Sequence, residues 1–265
     1  MHSVRRQEHH HQENTMSELS GRTTIVVGAS RGLGRGIATA FAEAGAPVIA
    51  VSRTAAAFPE LANGAIQPEV ADAADATAAA SLLDRHDPNV VVLVAGASPH
   101  MRSLQHHTWE TFSIHWQTDV RIAFHWVREA LLKPLRPGSR VIVVSSGAAL
   151  NGSPISGGYA GAKATQRFIT AYAQDEAKRA GLDITFTAVL PRFSPQTGVG
   201  QPAVAAYAAR AGQSVDDYLQ SLVRSTGPLV TPEVAGAALL QLIKEDAAKV
   251  APAYLLTGAG LQTLP

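Results

Sequence analysis

The chain has 265 residues, of which 46% are hydrophobic and 16% charged, and its formal net charge is +1. That balance fits one large α/β domain with a substantial core and gives no electrostatic case for a nucleic-acid partner. Cysteine is absent, which excludes a disulfide framework and a thiolate metal site, and the longest apolar runs, such as 90–95, are too short to cross a bilayer.

Residues 1–15 are polar and lack the apolar stretch of a signal peptide, so they read as a disordered leader, with Met16 as an alternative start and a cytoplasmic location expected. The rest, 16–265, reads as one domain. A first strand is expected at 23–27, then glycines, then a helix at 33–44 with Leu33, Ile37, Phe41 and Ala44 on one side. Gly45 stops that helix and a second strand follows at 47–51. Further strands are expected at 66–70, 90–94, 140–145, 183–189 and 254–256, and helices at 75–86, 108–132, 157–180, 203–224 and 232–245. Strict alternation predicts a doubly wound parallel sheet in a three-layer α/β/α arrangement, with ligands at the carboxyl ends of the strands. Gly28, Gly96, Ser146 and Pro191 all fall just past strand ends, which collects the candidate functional residues on one edge.

Two motifs carry chemistry. Ser146 follows the strand 140–145, Tyr159 comes thirteen residues later after a Gly/Ser/Pro-rich loop, and Lys163 lies four further on, on the same helical face. An ammonium there favours the phenolate, so the phenol can give or take a proton at a reacting oxygen. A Tyr-x-x-x-Lys spacing alone is a common accident of helices. Near the front, Gly28-Ala-Ser30-Arg31-Gly32-Leu33-Gly34 joins a strand to a helix. Its glycines permit close approach of backbone to a pyrophosphate, and the helix N-terminus offers amide donors.

Together these motifs resemble the short-chain dehydrogenase/reductase family in its single-domain, Rossmann-like form, over nearly the whole chain from about Gly21. The resemblance implies hydride transfer between a nicotinamide dinucleotide and a carbonyl or alcohol substrate. Ser146 would bind the carbonyl oxygen, Tyr159 would transfer the proton, and Lys163 would hold the nicotinamide ribose. It also places cofactor contacts at Gly28, Ser30, Arg31, Gly32, Leu33 and Gly34, at Asp72, which meets the adenine, at Ala95 and Gly96, and at Pro191 and Thr197. The second strand ends Val51-Ser52-Arg53 without the carboxylate that binds an adenosine ribose, and Arg31 adds a guanidinium nearby. Two arginines and a hydroxyl suit a 2′-phosphate, so NADP(H) is expected, with NAD(H) the alternative. A helix N-cap is a competing role for Asp72 or Asp75.

Three positions depart from the family pattern. Val94-Ala95-Gly96 stands where Asn-Ala-Gly is usual, which removes a strand-to-strand hydrogen bond rather than chemistry. Asp119 takes the place of the asparagine that holds a water relaying protons to the lysine; the alternative is a surface aspartate. Pairing with Asp119 would raise the Lys163 pKa and weaken its pull on Tyr159. Pro191-Arg192 replaces Pro-Gly, and its guanidinium either enters the substrate pocket or turns outward.

The segment 191–231 is expected to cover the substrate, with Leu150, Ile155, Phe193, Tyr207 and His100 as candidate pocket residues, but the substrate itself is not named by these identities. His106, His107, His115 and His125 lack ligand spacing and read as surface or interface histidines, and no metal is expected. Apolar residues on several sides of 108–132 and 157–180, among them Trp116, Phe124, Trp126, Phe168 and Tyr172, point to a homodimer or homotetramer. Two other readings stay open: a dinucleotide-binding sensor with little turnover, and a non-redox lyase or epimerase on the same scaffold.

Overall fold

Short runs of valine, isoleucine and leucine become strands because both faces of a parallel sheet are covered. The computed structural model describes residues 19–59, 61 and 64–265, so the leader expected at 1–15 lies outside the described residues. The strands are β1 (Thr24–Val27), β2 (Val48–Ser52), β3 (Ile66–Val70), β4 (Val90–Leu93), β5 (Ser139–Val144), β6 (Ile184–Pro191), β7 (Ala253–Thr257) and β8 (Gly260–Leu264). They form one sheet in the order β3-β2-β1-β4-β5-β6-β7-β8. Every neighbouring pair is parallel except β7 and β8.

The helices are α1 (Gly32–Glu43), α2 (Ala76–His86), α3 (Trp109–His115), α4 (Arg121–Leu132), α5 (Ala148–Asn151), α6 (Tyr159–Arg179), α7 (Gly200–Ala211), α8 (Val215–Thr226) and α9 (Pro232–Lys244). Alternate strand residues feed two cores. On one face Val26, Val48, Val92 and Ile142 meet Ile37 and Phe41 of α1 and Leu239 and Ile243 of α9. On the other, Ile25, Val91 and Val143 meet Leu82 of α2, Trp126 of α4 and Ala177 of α6.

Four features depart from the expected elements. The helix expected at 108–132 is interrupted at Trp116–Val120 by a wide π-helical turn. The helix expected at 203–224 is two helices, because Gly212 takes a left-handed conformation (φ 65°) and Ser214 caps α8 by accepting from the Asp217 N–H. The short α5 and the antiparallel edge strand β8 were not expected. The latter forms as the chain turns back at Gly260, where Thr257 Oγ donates to the Gly260 carbonyl.

Helices α1 and α9 touch through glycines. A Cβ on Gly36 would stand 2.3 Å from the Pro232 carbonyl oxygen, and one on Gly236 would stand 2.6 Å from that of Gly36. Backbone cannot swing aside as a side chain can. Gly36→Ala is therefore expected to lower the unfolding free energy by about 1–3 kcal/mol through overpacking, despite alanine's better helix propensity, as read from the urea midpoint at unchanged m-value.

Candidate active site

The carboxyl ends of the central strands open into a cavity of about 820 Å³. One end of it is built by the turn from β1 to α1. Gly28 is required there, since a Cβ would stand 2.6 Å from the Ala95 nitrogen, and Gly34 likewise, since a Cβ would stand 2.1 Å from the Gly28 carbonyl oxygen. Arg31 is the N-cap of α1 but gives it no side-chain hydrogen bond, so the first amides of the helix keep their capacity for an anion. Ser30, Gly32 and Leu33 complete this wall, and Ala95 N donates to Val27 O at 2.9 Å across it.

Ser52, Arg53 and Asp72 line the adjoining stretch. Arg31 and Arg53 are exposed, and no carboxylate pairs with either among the described residues. Ser52 Oγ donates to the Thr54 carbonyl at 2.7 Å, so that hydroxyl must rotate before it can serve a phosphate. The helix N-cap falls to Asp75, which accepts from Thr77 N, while Asp72 accepts from Ala74 N at the cavity edge. The glycine turn, the open helix terminus and two unpaired guanidiniums fit a dinucleotide.

Ser146, Tyr159, Lys163 and Asp119 line the other end. Ser146 Oγ accepts from Ala148 N at 3.2 Å, which leaves its hydrogen free for the cavity. Two glycines before Tyr159 let α6 start against α3: Gly157 is left-handed (φ 59°), and a Cβ on Gly158 would stand 2.3 Å from both the Phe112 carbonyl oxygen and the Trp116 ring. Lys163 Nζ lies 5.6 Å from the Tyr159 ring centroid, and Ser145 Oγ fastens the end of β5 to the Lys163 carbonyl at 2.7 Å.

Lys163 is buried, and its Nζ lies 3.1 Å from Asp119 Oδ2. That contact is an ion pair, and the ammonium also donates to Gln166 Oε1 at 2.9 Å. Asp119 Oδ1 accepts from Ala97 N at 2.8 Å and from His115 Nδ1 at 3.4 Å. The wide turn leaves the Asp119 carbonyl available to Gln166 Nε2 at 2.9 Å. Burial works against the charge of Asp119, but Lys163, His115 and the Ala97 N–H outweigh it and hold the carboxyl below its ordinary value. Burial presses on Lys163 too, and there Asp119 and Tyr159 win, holding the ammonium above its ordinary value.

Every residue that the sequence put forward for chemistry or cofactor contact lies on this one cavity wall. Asp119 is fully buried rather than a surface aspartate. His115 is a correction: it is not a surface histidine but fully buried beside Asp119, with its ring edge-on to Tyr159 at 5.1 Å. His115 and Gln166 went unrecognised, although each sits at helical spacing from a named residue, four before Asp119 and three after Lys163. His100 is exposed, while its neighbours Pro99 and Met101 line the cavity, and Ile155 turns into the protein between Pro154 and Ser156. Arg192 lies on the wall but is exposed, its guanidinium 3.5 Å from the Thr226 carbonyl. Thr197 Oγ donates to Ser194 O and accepts from Gly200 N, so its hydroxyl closes its own loop. No group of three or more potential metal ligands occurs among the described residues.

The buried pair has a signed pH dependence. Asp119 contributes stability above the ordinary carboxylate value of 3.8 and loses it as pH falls through its lower folded value. Lys163 contributes below 10.5 and loses it only as pH rises through its higher folded value. Asp119→Asn is expected to cost about 3–5 kcal/mol at about pH 6, because a buried cation loses its partner, and the gap to the parent should narrow towards about pH 3; urea unfolding at both pH values measures it.

Comparison with known proteins agrees with this geometry. A family model described as short chain dehydrogenase matches residues 22–208. An uncharacterized short-chain type dehydrogenase/reductase of Sinorhizobium fredii is 30% identical over 152 residues, which is 54% of this chain but only 28% of that protein. The hydroxynaphthalene reductase-like proteins Arp2 of Metarhizium majus and Metarhizium robertsii are each 28% identical over 193 residues, covering 68% of this chain and 70% of theirs. The matched segment contains the glycine turn, the serine, the tyrosine and the lysine in order, and the chain belongs to the short-chain dehydrogenase/reductase family, an oxidoreductase family that binds NAD(P) and acts on small molecules.

Proposed function

We propose that this chain is an NADP(H)-dependent carbonyl reductase or alcohol dehydrogenase with Tyr159 as its general acid and base. One observation carries the reading: Ser146, Tyr159 and Lys163 share a cavity with the glycine turn and the open N-terminus of α1. The nicotinamide, when bound, supplies or accepts the hydride. In reduction the Tyr159 hydroxyl gives its proton to the carbonyl oxygen as charge builds there, and in oxidation its phenolate takes the alcohol proton. Ser146 Oγ donates to the same oxygen and holds the developing charge. Lys163 sets a positive charge beside the Tyr159 ring, and the ammonium hydrogens not given to Gln166 would hold the nicotinamide ribose hydroxyls.

The preference for NADP(H) rests on Arg31, Arg53 and Ser52 at the cavity wall and on the lack of a carboxylate at the end of β2. The segment 191–231 serves as the substrate cover. Tyr207 of α7 and Tyr218 of α8 stack in parallel at the cavity wall, and Tyr207 shares a hydrogen bond of 2.5 Å with Ser153 on the opposite loop. Phe124, Leu132, Phe168 and Tyr172 on α4 and α6 are exposed, which supports association into a homodimer or homotetramer through these helices. A second reading, a dinucleotide-binding protein with little turnover, is favoured by the Asp119 carboxylate that offsets the charge of Lys163.

Following NADPH consumption across a panel of carbonyls separates the two. Tyr159→Phe should lower turnover by about 10²–10⁴-fold with little change in NADPH affinity, and full activity in that variant would remove Tyr159 as the acid. Tight NADPH binding with no turnover on any carbonyl would favour the binding role. Arg53→Ala should weaken NADPH far more than NADH in a direct titration, whereas equal losses would count against a phosphate contact.

A further inference from the structure

His115 is fully buried, faces Asp119, packs its ring against Tyr159, and its Nε2 has no hydrogen-bond partner among the described residues. Its protonation follows from its neighbours. Asp119 is a carboxylate and can only accept, so Nδ1 must carry the hydrogen that reaches Oδ1.

We propose that His115 is a positioning residue for Lys163. With Ala97 N–H it occupies Oδ1 of Asp119, so that Oδ2 is the oxygen turned to the ammonium 3.1 Å away. The ionisable groups facing Asp119 are Lys163 from α6 and His115 from α3, and those facing Lys163 are Asp119 and Tyr159; the loop at 95–97 adds only the Ala97 N–H. Gln166 closes the arrangement from the far side, accepting from Lys163 and donating to the Asp119 carbonyl. His115 thus sets the charge beside Tyr159 through Asp119, apart from the ring packing that His115→Phe keeps, and its kinetic effect rests on the Tyr159 reading above, while its tautomer does not.

The test therefore has two arms. In histidine-15N-labelled protein, the His115 resonances, assigned by their loss in His115→Phe, should report a hydrogen on Nδ1. A tautomer with Nδ1 bare overturns the proposal, whether or not a carbonyl substrate is known. In the kinetic arm, His115→Phe keeps a ring against Tyr159 but removes the donor. With a turned-over carbonyl it should lower kcat about tenfold, the scale of one charge-assisted hydrogen bond, and move the acid limb of the pH profile to higher pH. His115→Asn, which keeps a donor near the Nδ1 position, should restore most of both. In an Asp119→Asn background His115→Phe should change neither. An unshifted acid limb, or an equal effect of His115→Phe in both backgrounds, overturns the proposal. Loss of the Tyr159 reading would show instead as turnover that survives Tyr159→Phe, with the tautomer unaffected.

Discussion

A lysine with 4% of its surface exposed cannot remain an ammonium unless a negative charge is brought to it. Much of the architecture around the cavity is what that requirement demands. Asp119 reaches Lys163 because the wide turn between α3 and α4 pushes it inward, and Gly96 makes room, since a Cβ there would stand 2.7 Å from Oδ2. Gly158 lets the start of α6 come close to Trp116, which brings the lysine within reach from the other side. Gln166 then satisfies both the lysine and the turn. A buried ion pair is seldom a net source of stability, so its presence at the cavity wall points to what the charge does there and not to holding the fold together.

The sheet supplies the rigid frame. Its central strands are covered on both faces, and their carboxyl ends bring the glycine turn after β1, the loop after β4 and Ser146 after β5 to one edge. Residues far apart in the chain meet because parallel strands all point the same way. The glycine turn offers backbone amides to a dinucleotide, whereas the far end of the cavity offers hydroxyls and one compensated cation.

Much of this was legible in the chain. Strand and helix alternation reproduced the seven parallel strands, because valine-rich runs bounded by glycine and proline leave few other choices. That Ser146, Tyr159 and Lys163 would meet in one cavity could be anticipated from their spacing and the family resemblance, and Asp119 from its place in the helix. What stayed hidden depends on irregular backbone. A wide turn has no period of its own, so His115 looked like one more exposed histidine in a helix with four in its neighbourhood. Gln166 looked like an ordinary polar residue, since nothing in its own stretch shows that an unpaired carbonyl awaits it. The break at Gly212 had its signals, a glycine stop and a serine cap, but an alanine-rich run masked them. Edge strand β8 has no buried residue and lacks the apolar run that marks the central strands.

The turn at Trp116–Val120 also sets how this stretch tolerates changes in length. A π-helical turn amounts to one surplus residue accommodated inside an otherwise regular helix. Removing a single residue there can be absorbed by tightening the coil, so Trp126 and Ile122 downstream keep their seats in the core. A deletion elsewhere in α4 would instead rotate that face by about 100°, one residue's share of a 3.6-residue turn. The segment therefore behaves as an expansion joint: the core is insulated from a length change that the carboxylate it carries would feel at once.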